Sequence, residues 1–371
     1  MVVKTTFDNK SITKRSITNK IVVENTAVKS KIRSKWQLLI ILAASFLISS
    51  CNQSNSEKEF SITLRLSHVF NVNEELAQSI ELVADRINSK TNGAVRVLTY
   101  PGGQIATYKD GVEMVSRGAY FISVEDPSYI GDYVPEFTAL VGPMLYKDFD
   151  EYTELVKTPL VQGWLEKIEA KGIKVLSLNY IFGFRNVITD KVVRTPDDLQ
   201  GVKLRTPGSK LFIKTLNAMG ANSTPLPWGE TFSALQQGVV DGLEGSEFTN
   251  LGTKVYETGK KNVALTNHFL GVCGVYISTD VWAKIPVQYR EIIQQEFDFE
   301  ASQMIQQLKN KQADVIRELE SHGVEFNDID REAFESRTLA LFDGELPGVT
   351  LEMYEQIQKE LKTIRARKAN Q

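Results

Sequence analysis

The stretch that decides the fold runs from Phe184 to Gly245. It opens with F-R-N (Phe184–Asn186) and carries G-V-K-L-R-T-P-G (Gly201–Gly208). It closes with P-L-P-W-G-E-T-F-S-A-L-Q-Q-G-V-V-D-G-L-E-G (Pro225–Gly245). Arg185 and Arg205 stand at the ends of short apolar strand-like runs, where a chain delivers side chains into a cleft. A guanidinium there is a permanently charged fork that grips a carboxylate through two parallel hydrogen bonds. No nucleophile, metal cluster or phosphate loop accompanies the two arginines in this stretch, so the pattern points to holding an anion and not to transforming it.

Outward from this stretch, strands and helices alternate. Ile62–Ser67 reads as a strand by its period of two, and Glu74–Lys90 as an amphipathic helix stopped at Asn92-Gly93. Ala94–Tyr100 is a second strand, Asp110–Arg117 a helix and Tyr120–Val124 a third strand, an order that predicts an open, mostly parallel sheet. After helical Asp148–Lys171 a second series begins. Its strands are Lys174–Asn179, Asn186–Thr189, Val202–Arg205, Val239–Glu244 and Val263–Thr266, with helices at Ser209–Met219 and Thr231–Gln237. Gly271–Ser278 is strand-like and crosses back. Two series with late segments returning predict two lobes joined by more than one crossover. From Gln288 to Ser321 neither proline nor glycine interrupts the chain, and a helix of about 33 residues would reach roughly 50 Å, more than one lobe. Lys362–Gln371 is polar and reads as frayed.

The chain has 371 residues, 42% hydrophobic and 24% charged, an ordinary globular composition long enough for two cores. Its N-terminus reads differently. Basic K-S-K-I-R-S-K at 29–35 precedes an apolar run at Leu38–Ile48, and small residues lead to Cys51. That order is a secretory signal, the apolar run being too short for the roughly 20 residues of a membrane span. The residues before Cys51 resemble a bacterial lipobox, so lipidation of Cys51 is expected. Residues 1–50 carry nine Lys or Arg and two Asp or Glu; taking this +7 from the net charge of −3 leaves −10 for the mature part. An acidic exterior argues against nucleic acid as a partner. Cys273 is then the lone remaining cysteine, in an apolar run, and reads as a small core residue. His68, His268 and His322 lack ligand spacing, so neither a metal nor a cofactor is expected.

From about Ile62 to Leu361 the chain resembles the substrate-binding proteins of tripartite ATP-independent periplasmic (TRAP) transporters, of the C4-dicarboxylate-binding type. The resemblance rests on Ser67-His68 ending the first strand, T-N-G-A-V-R-V-L-T-Y-P-G-G-Q-I (Thr91–Ile105) and Y-V-P-E-F (Tyr133–Phe137). It continues through T-P-D-D-L-Q-G-V-K-L-R-T-P (Thr195–Pro207), A-L-Q-Q-G-V-V-D-G (Ala234–Gly242) and T-N-H (Thr266–His268). It implies an α/β, two-lobed periplasmic-binding-protein fold with hinge strands and a long lobe-spanning helix. The organisation expected is a leader and signal at 1–50 and a linker at 51–59. Lobe I would hold 60–182 plus about 271–300, and lobe II 183–270 plus about 301–365.

The same resemblance gives Arg205 the main salt bridge to a ligand carboxylate, Arg185 a second contact and Trp228 the apolar wall. Glu125, Ser67 and His68 fall where relatives meet the ligand's distal end, and Glu244 orients an arginine. Where many relatives carry Asn-Pro, this chain has Gly245-Ser246; one donor is lost and space opens beside Arg205, which implies a larger or differently angled acid. The function implied is an exported, periplasmic or cell-surface receptor, lipid-anchored to the membrane through Cys51, that passes a carboxylate to the permease subunits of a TRAP transporter. The competing readings are a receptor for an ATP-driven importer or a signalling partner, and an enzyme acting on an organic acid. For the enzyme the neighbourhood of the arginines offers only Glu230, Asp241 and Glu244 as acid or base.

Overall fold

The computed structural model describes residues 60–370. The leader, the signal and Cys51 lie outside the described residues.

In chain order the elements that build the site are β1 (Ile62–Ser67), α1 (Glu75–Lys90), β2 (Val95–Tyr100), α2 (Tyr108–Ser116) and β3 (Phe121–Glu125). Next come α3 (Phe149–Leu155), α4 (Pro159–Glu169), β4 (Ile173–Thr189), β5 (Lys203–Thr206), α5 (Lys210–Ala218), β6 (Asn222–Pro225) and α6 (Thr231–Gln236). The chain ends with β7 (Gly242–Gly245), α7 (Glu247–Gly252), β8 (Asn262–Ser278), α8 (Val287–Ser321), β9 (Glu325–Asn327) and α9 (Leu351–Ala369).

Local sequence explains most of these. In β1, Ile62, Leu64 and Leu66 are buried while Thr63 and Arg65 between them are exposed. In α1, Leu76, Ile80, Val83 and Ile87 fall on one helical face and are all buried. The helix stops where Asn92 and Gly93 turn to positive φ. The expected helical stretch 148–171 divides at Thr158-Pro159, since proline has no N–H for the preceding turn and instead opens α4 at its first position.

The sheet runs β2-β1-β3-β8-β4-β7-β5-β6, with β9 beside β8. Each end is a parallel wing: β1 pairs with β2 and β3, and β5 with β6 and β7. The parallel pairing expected of the first series holds in both wings, and the middle that joins them is antiparallel, at β3–β8, β8–β4 and β4–β7. The hinge-strand expectation takes a stronger form than the sequence suggested. Lys174–Asn179 and Asn186–Thr189 are one 17-residue strand, β4, and Val263–Thr266 and Gly271–Ser278 are one 17-residue strand, β8. Glycines and polar residues inside these runs read as breaks but are register shifts, for example between Ile181 and Gly183. At Gly183 φ is +109° and a Cβ would lie 2.8 Å from Ser246 Cβ, so only glycine lets the strand bend there.

The long helix is present as α8, 35 residues. At one end its buried Glu296 and Glu300 pair with Arg86 and Lys90 of α1. Gln294 Nε2 donates to Leu176 O (2.6 Å) on β4, and further along Gln312 Nε2 donates to Glu247 Oε1 (2.8 Å) on α7. It therefore lies across elements of both series.

The C-terminus is a correction. Lys362–Gln371 was expected to fray, yet α9 continues to Ala369 because its cations have fixed partners. Arg365 Nε and Nη2 donate to Glu151 Oε1 and Oε2, both at 2.8 Å, and Nη2 also reaches Leu145 O at 2.9 Å. Lys368 pairs with Asp148 at 2.7 Å. The sequence grouped about 301–365 with the second lobe; these bonds tie the last helix to residues 145–151.

Candidate functional site

The carboxyl-terminal ends of the parallel strands in both wings point to one place, the crevice where open α/β sheets hold ligands. A cavity of about 60 Å³ lies there, walled by Arg185, Arg205, Trp228 and Glu125 among others. Four of the eight predicted contact residues therefore meet around one space.

Arg205, on β5, is 2% exposed. Its Nε and Nη2 donate to Leu226 O at 3.0 and 2.7 Å, and Nη2 also approaches Tyr108 Oη at 3.4 Å. Leu226 follows β6 directly, so neighbouring parallel strands fix the guanidinium plane. Trp228 covers one face, with its ring centre 5.0 Å from Cζ. Among the described residues no carboxylate lies within ion-pairing distance of Arg205, and burial pulls its pKa below the ordinary arginine value.

Arg185, on β4, is satisfied. Glu244 on β7 holds it through two oxygens, Nη2 to Oε1 at 2.5 Å and Nε to Oε2, and Phe182 and Phe212 lie 5.5 and 5.1 Å from its Cζ. Burial opposes the charge of Glu244, but Arg185 outweighs it and takes the carboxyl down to about 2. His268 Nε2 stands 3.8 Å from Glu244 Oε2, and burial lowers its pKa below the ordinary histidine value. Glu244 thus holds Arg185 from outside the cavity lining.

Glu125 ends β3 and is 2% exposed; its Oε1 accepts from Tyr108 N at 2.6 Å. Burial raises its pKa to about 8. Glu125-Asp126-Pro127 is not a solvated turn: Glu125 and Pro127 are buried and Asp126 also lines the cavity. Asp126 Oδ1 accepts from Ser128 N at 2.8 Å, and burial raises its pKa to about 6.

Three predicted contacts stand behind the wall. Ser67 is fully buried and donates to Tyr100 O at 3.3 Å; His68 is 1% exposed, with burial lowering its pKa to about 4. The chain needs two more residues to reach the cavity, which Val69 and Phe70 line instead. Gly245 pairs with Asn186 across β7 and β4. Ser246 turns away to cap α7, accepting from Thr249 N at 3.2 Å, and Thr249 lines the cavity there. Cys273, expected in the core, is buried but touches the cavity, and burial pushes its thiol well above the ordinary value.

The sequence reading missed Glu74 and Tyr108. Glu74 precedes α1, where an acid is ordinarily solvated, yet Asn71 N (2.7 Å) and Trp228 Nε1 (3.0 Å) donate to its Oε2. Burial raises its pKa to about 7. Tyr108 has φ +53°, a costly conformation for a bulky residue, and its hydroxyl accepts from Trp228 N at 3.0 Å. With the Ser128–Ser209 hydroxyl pair at 2.8 Å, these contacts join the β1–β3 wing to the β5–β7 wing across the cavity. Beyond Trp228 a more open cleft of about 650 Å³ continues between Asn71–Gln104 and Trp228–Glu257. Position-specific context, a helix-leading acid and a tyrosine before K-D-G, was the only signal for either residue.

The comparisons agree with this geometry. Residues 66–344 match the family described as bacterial extracellular solute-binding protein, family 7. A TRAP periplasmic solute-binding protein from Desulfovibrio salexigens, in complex with diglycerolphosphate, is 56% identical. It superposes with a TM-score of 0.82 over 84% of this chain and 100% of that one. One from Fusobacterium nucleatum with bound sn-glycerol-3-phosphate is 40% identical, with a TM-score of 0.81 over 83% of this chain and 99% of that one. The sialic acid-binding periplasmic protein of Vibrio cholerae is 25% identical over 280 residues, 76% of this chain and 87% of its own length.

Proposed function

Since this chain belongs to family 7 of the bacterial extracellular solute-binding proteins, the DctP family, we propose that Arg205 captures the anionic group of a small organic acid in the cavity. One observation carries the reading: Arg205 is buried without a carboxylate partner among the described residues, while Arg185 beside it is fully paired. An unpaired buried charge is costly unless something matches it. A ligand oxyanion is that match.

The acid is a carboxylate in the first reading, supported by the sialic acid-binding relative. A phosphate ester is the second reading, favoured by the two glycerophosphate-bound relatives at 56% and 40% identity. Trp228 packs over the arginine, Glu125 meets the distal end of the ligand, and Arg185, held by Glu244, shapes the wall. The β1–β3 wing and the β5–β7 wing act as lobes that close about β4 and β8. Closure is driven by ligand contacts that exist only in the shut form. The shut receptor then delivers its solute to the membrane permease subunits of a TRAP transporter, without chemical change to the solute. Lipidation of Cys51 keeps it at the membrane.

The test is thermal unfolding of wild type and Arg205→Ala against carboxylates, sugar acids and phosphate esters, since a ligand of the native state raises the midpoint. Loss of one partner of a desolvated charge pair costs about 2–5 kcal/mol, so affinity should fall at least about 30-fold. If both proteins respond alike, or neither responds to any acid, the receptor reading fails.

A further inference from the structure

We infer, building on the receptor reading above, that the site selects an anion with a hydroxylated arm: Arg205 holds its single anionic group and the carboxyls of Glu74, Glu125 and Asp126 hold its hydroxyls. Ligands with a second anionic group, such as C4-dicarboxylates, are turned away.

The argument starts from charge. Two arginines line the cavity, and Glu244 neutralises one of them from behind. The other, Arg205, faces three acids on the same small space: Glu74 from the start of α1, and Glu125 and Asp126 from the end of β3. A monoanion matches Arg205. A second anionic group would find no unpaired cation among the described lining residues, and burying it unmatched is costly.

Hydrogen bonding gives the same answer. Each acid has one oxygen committed to protein donors: Glu74 Oε2 to Asn71 N and Trp228 Nε1, Glu125 Oε1 to Tyr108 N, and Asp126 Oδ1 to Ser128 N. The second oxygen of each accepts no protein hydrogen bond among the described residues. A hydroxyl can donate to such an oxygen when it is ionised and accept from it when it is protonated. Polyol groups therefore suit the acids in either state, whereas an ammonium suits them only when ionised. Burial favours the protonated form of all three, Glu125 most of all. The arm is accordingly a polyol, which suits the free oxygens whichever of the acids is ionised.

A sugar acid and a glycerol phosphodiester share this chemistry, so the experiment separates them. Titration calorimetry on the purified protein near pH 7 would use six probes: bis-glycerol phosphate, galactonate, diethyl phosphate, butyrate, succinate and glycine. At least one hydroxylated monoanion should bind 100-fold more tightly than its hydroxyl-free counterpart, and succinate and glycine should bind at least 100-fold more weakly than that ligand. Which hydroxylated probe binds identifies the anionic group. In Glu125→Gln with Asp126→Asn, the preference over succinate should fall at least tenfold. Succinate or glycine binding as tightly as the better hydroxylated probe would overturn this inference and leave the receptor reading standing. The same holds if the hydroxyl-free counterparts match their polyol partners. Absence of binding by every probe would overturn both.

Discussion

Replacing Glu244 by glutamine removes one charge and almost no volume, and the consequences can be worked from its surroundings. Glu244 is fully buried and Arg185 is 9% exposed, so the substitution leaves a nearly buried guanidinium without its paired counter-ion. Breaking a buried pair on one side costs about 3–5 kcal/mol. Unfolding entropy of about 2.1 cal/mol/K per residue gives roughly 0.65 kcal/mol/K for the roughly 310 described residues, so the midpoint should fall by about 5–8 °C. The double variant Glu244→Gln with Arg185→Met removes both charges and keeps apolar contact with Phe182 and Phe212. It should recover most of the loss, because replacing both partners is close to neutral or better. Urea unfolding of wild type, both single variants and the double variant gives the coupling energy directly. A single-variant cost below about 1 kcal/mol, or two costs that merely add, would refute the claim that this pair is buried and mutually dependent. The double variant should also still capture its acid within about tenfold, since Arg205 is the anchor.

Stability should fall as pH rises from about 5 to 8. Glu125 keeps its proton in the folded chain up to about 8 but loses it near 4.5 when unfolded, so its contribution is present below 4.5 and lost as pH rises through 8. Glu74 and Asp126 act in the same direction up to about 7 and 6. The slope is at most about 1.4 kcal/mol per pH unit for each group. Glu244 has the opposite sign: its contribution is present above 4.5 and lost as pH falls through about 2. Melting curves from pH 4 to 9 should therefore peak near pH 5, and Glu125→Gln should flatten the alkaline side. Arg365→Ala leaves Glu151, 3% exposed, without its charged partner and should cost about 1–3 kcal/mol. That would appear as a midpoint lowered by about 2–5 °C, and no change would mean that α9 contributes nothing to the fold. Gly183→Ala puts a Cβ 2.8 Å from Ser246 Cβ at φ +109° and should cost about 1–3 kcal/mol, read by urea unfolding.

How far the sequence could be read depended on whether the signal was local. The alternation in Ile62–Ser67, the uninterrupted Gln288–Ser321 and the position of Arg205 at a strand end are local, and each element lies where the pattern put it. β4 and β8 were divided because burial on both faces removes alternation, and a glycine inside a buried strand resembles a turn until its partner strand is known. Polar Lys362–Gln371 looked frayed because Glu151 and Asp148, which hold it, are more than two hundred residues away in the chain. The acid trio was hidden for the same reason. Glu74 has the composition of any solvated first turn, and only the approach of Trp228 and the arginines makes it part of the site.

The placement of Trp228 makes the protein its own optical probe. Its indole lies against a guanidinium of its own wing and donates across the seam to Glu74, and that donated bond must break if the cleft opens. The other tryptophans of residues 60–370 are Trp164, 3% exposed in the core, and Trp282, half-buried just after β8. Replacing those two by phenylalanine would leave one emitter in this part of the chain, at the seam between the wings. Its emission, followed after rapid mixing with solute, would time the shutting and reopening of the receptor without any attached dye.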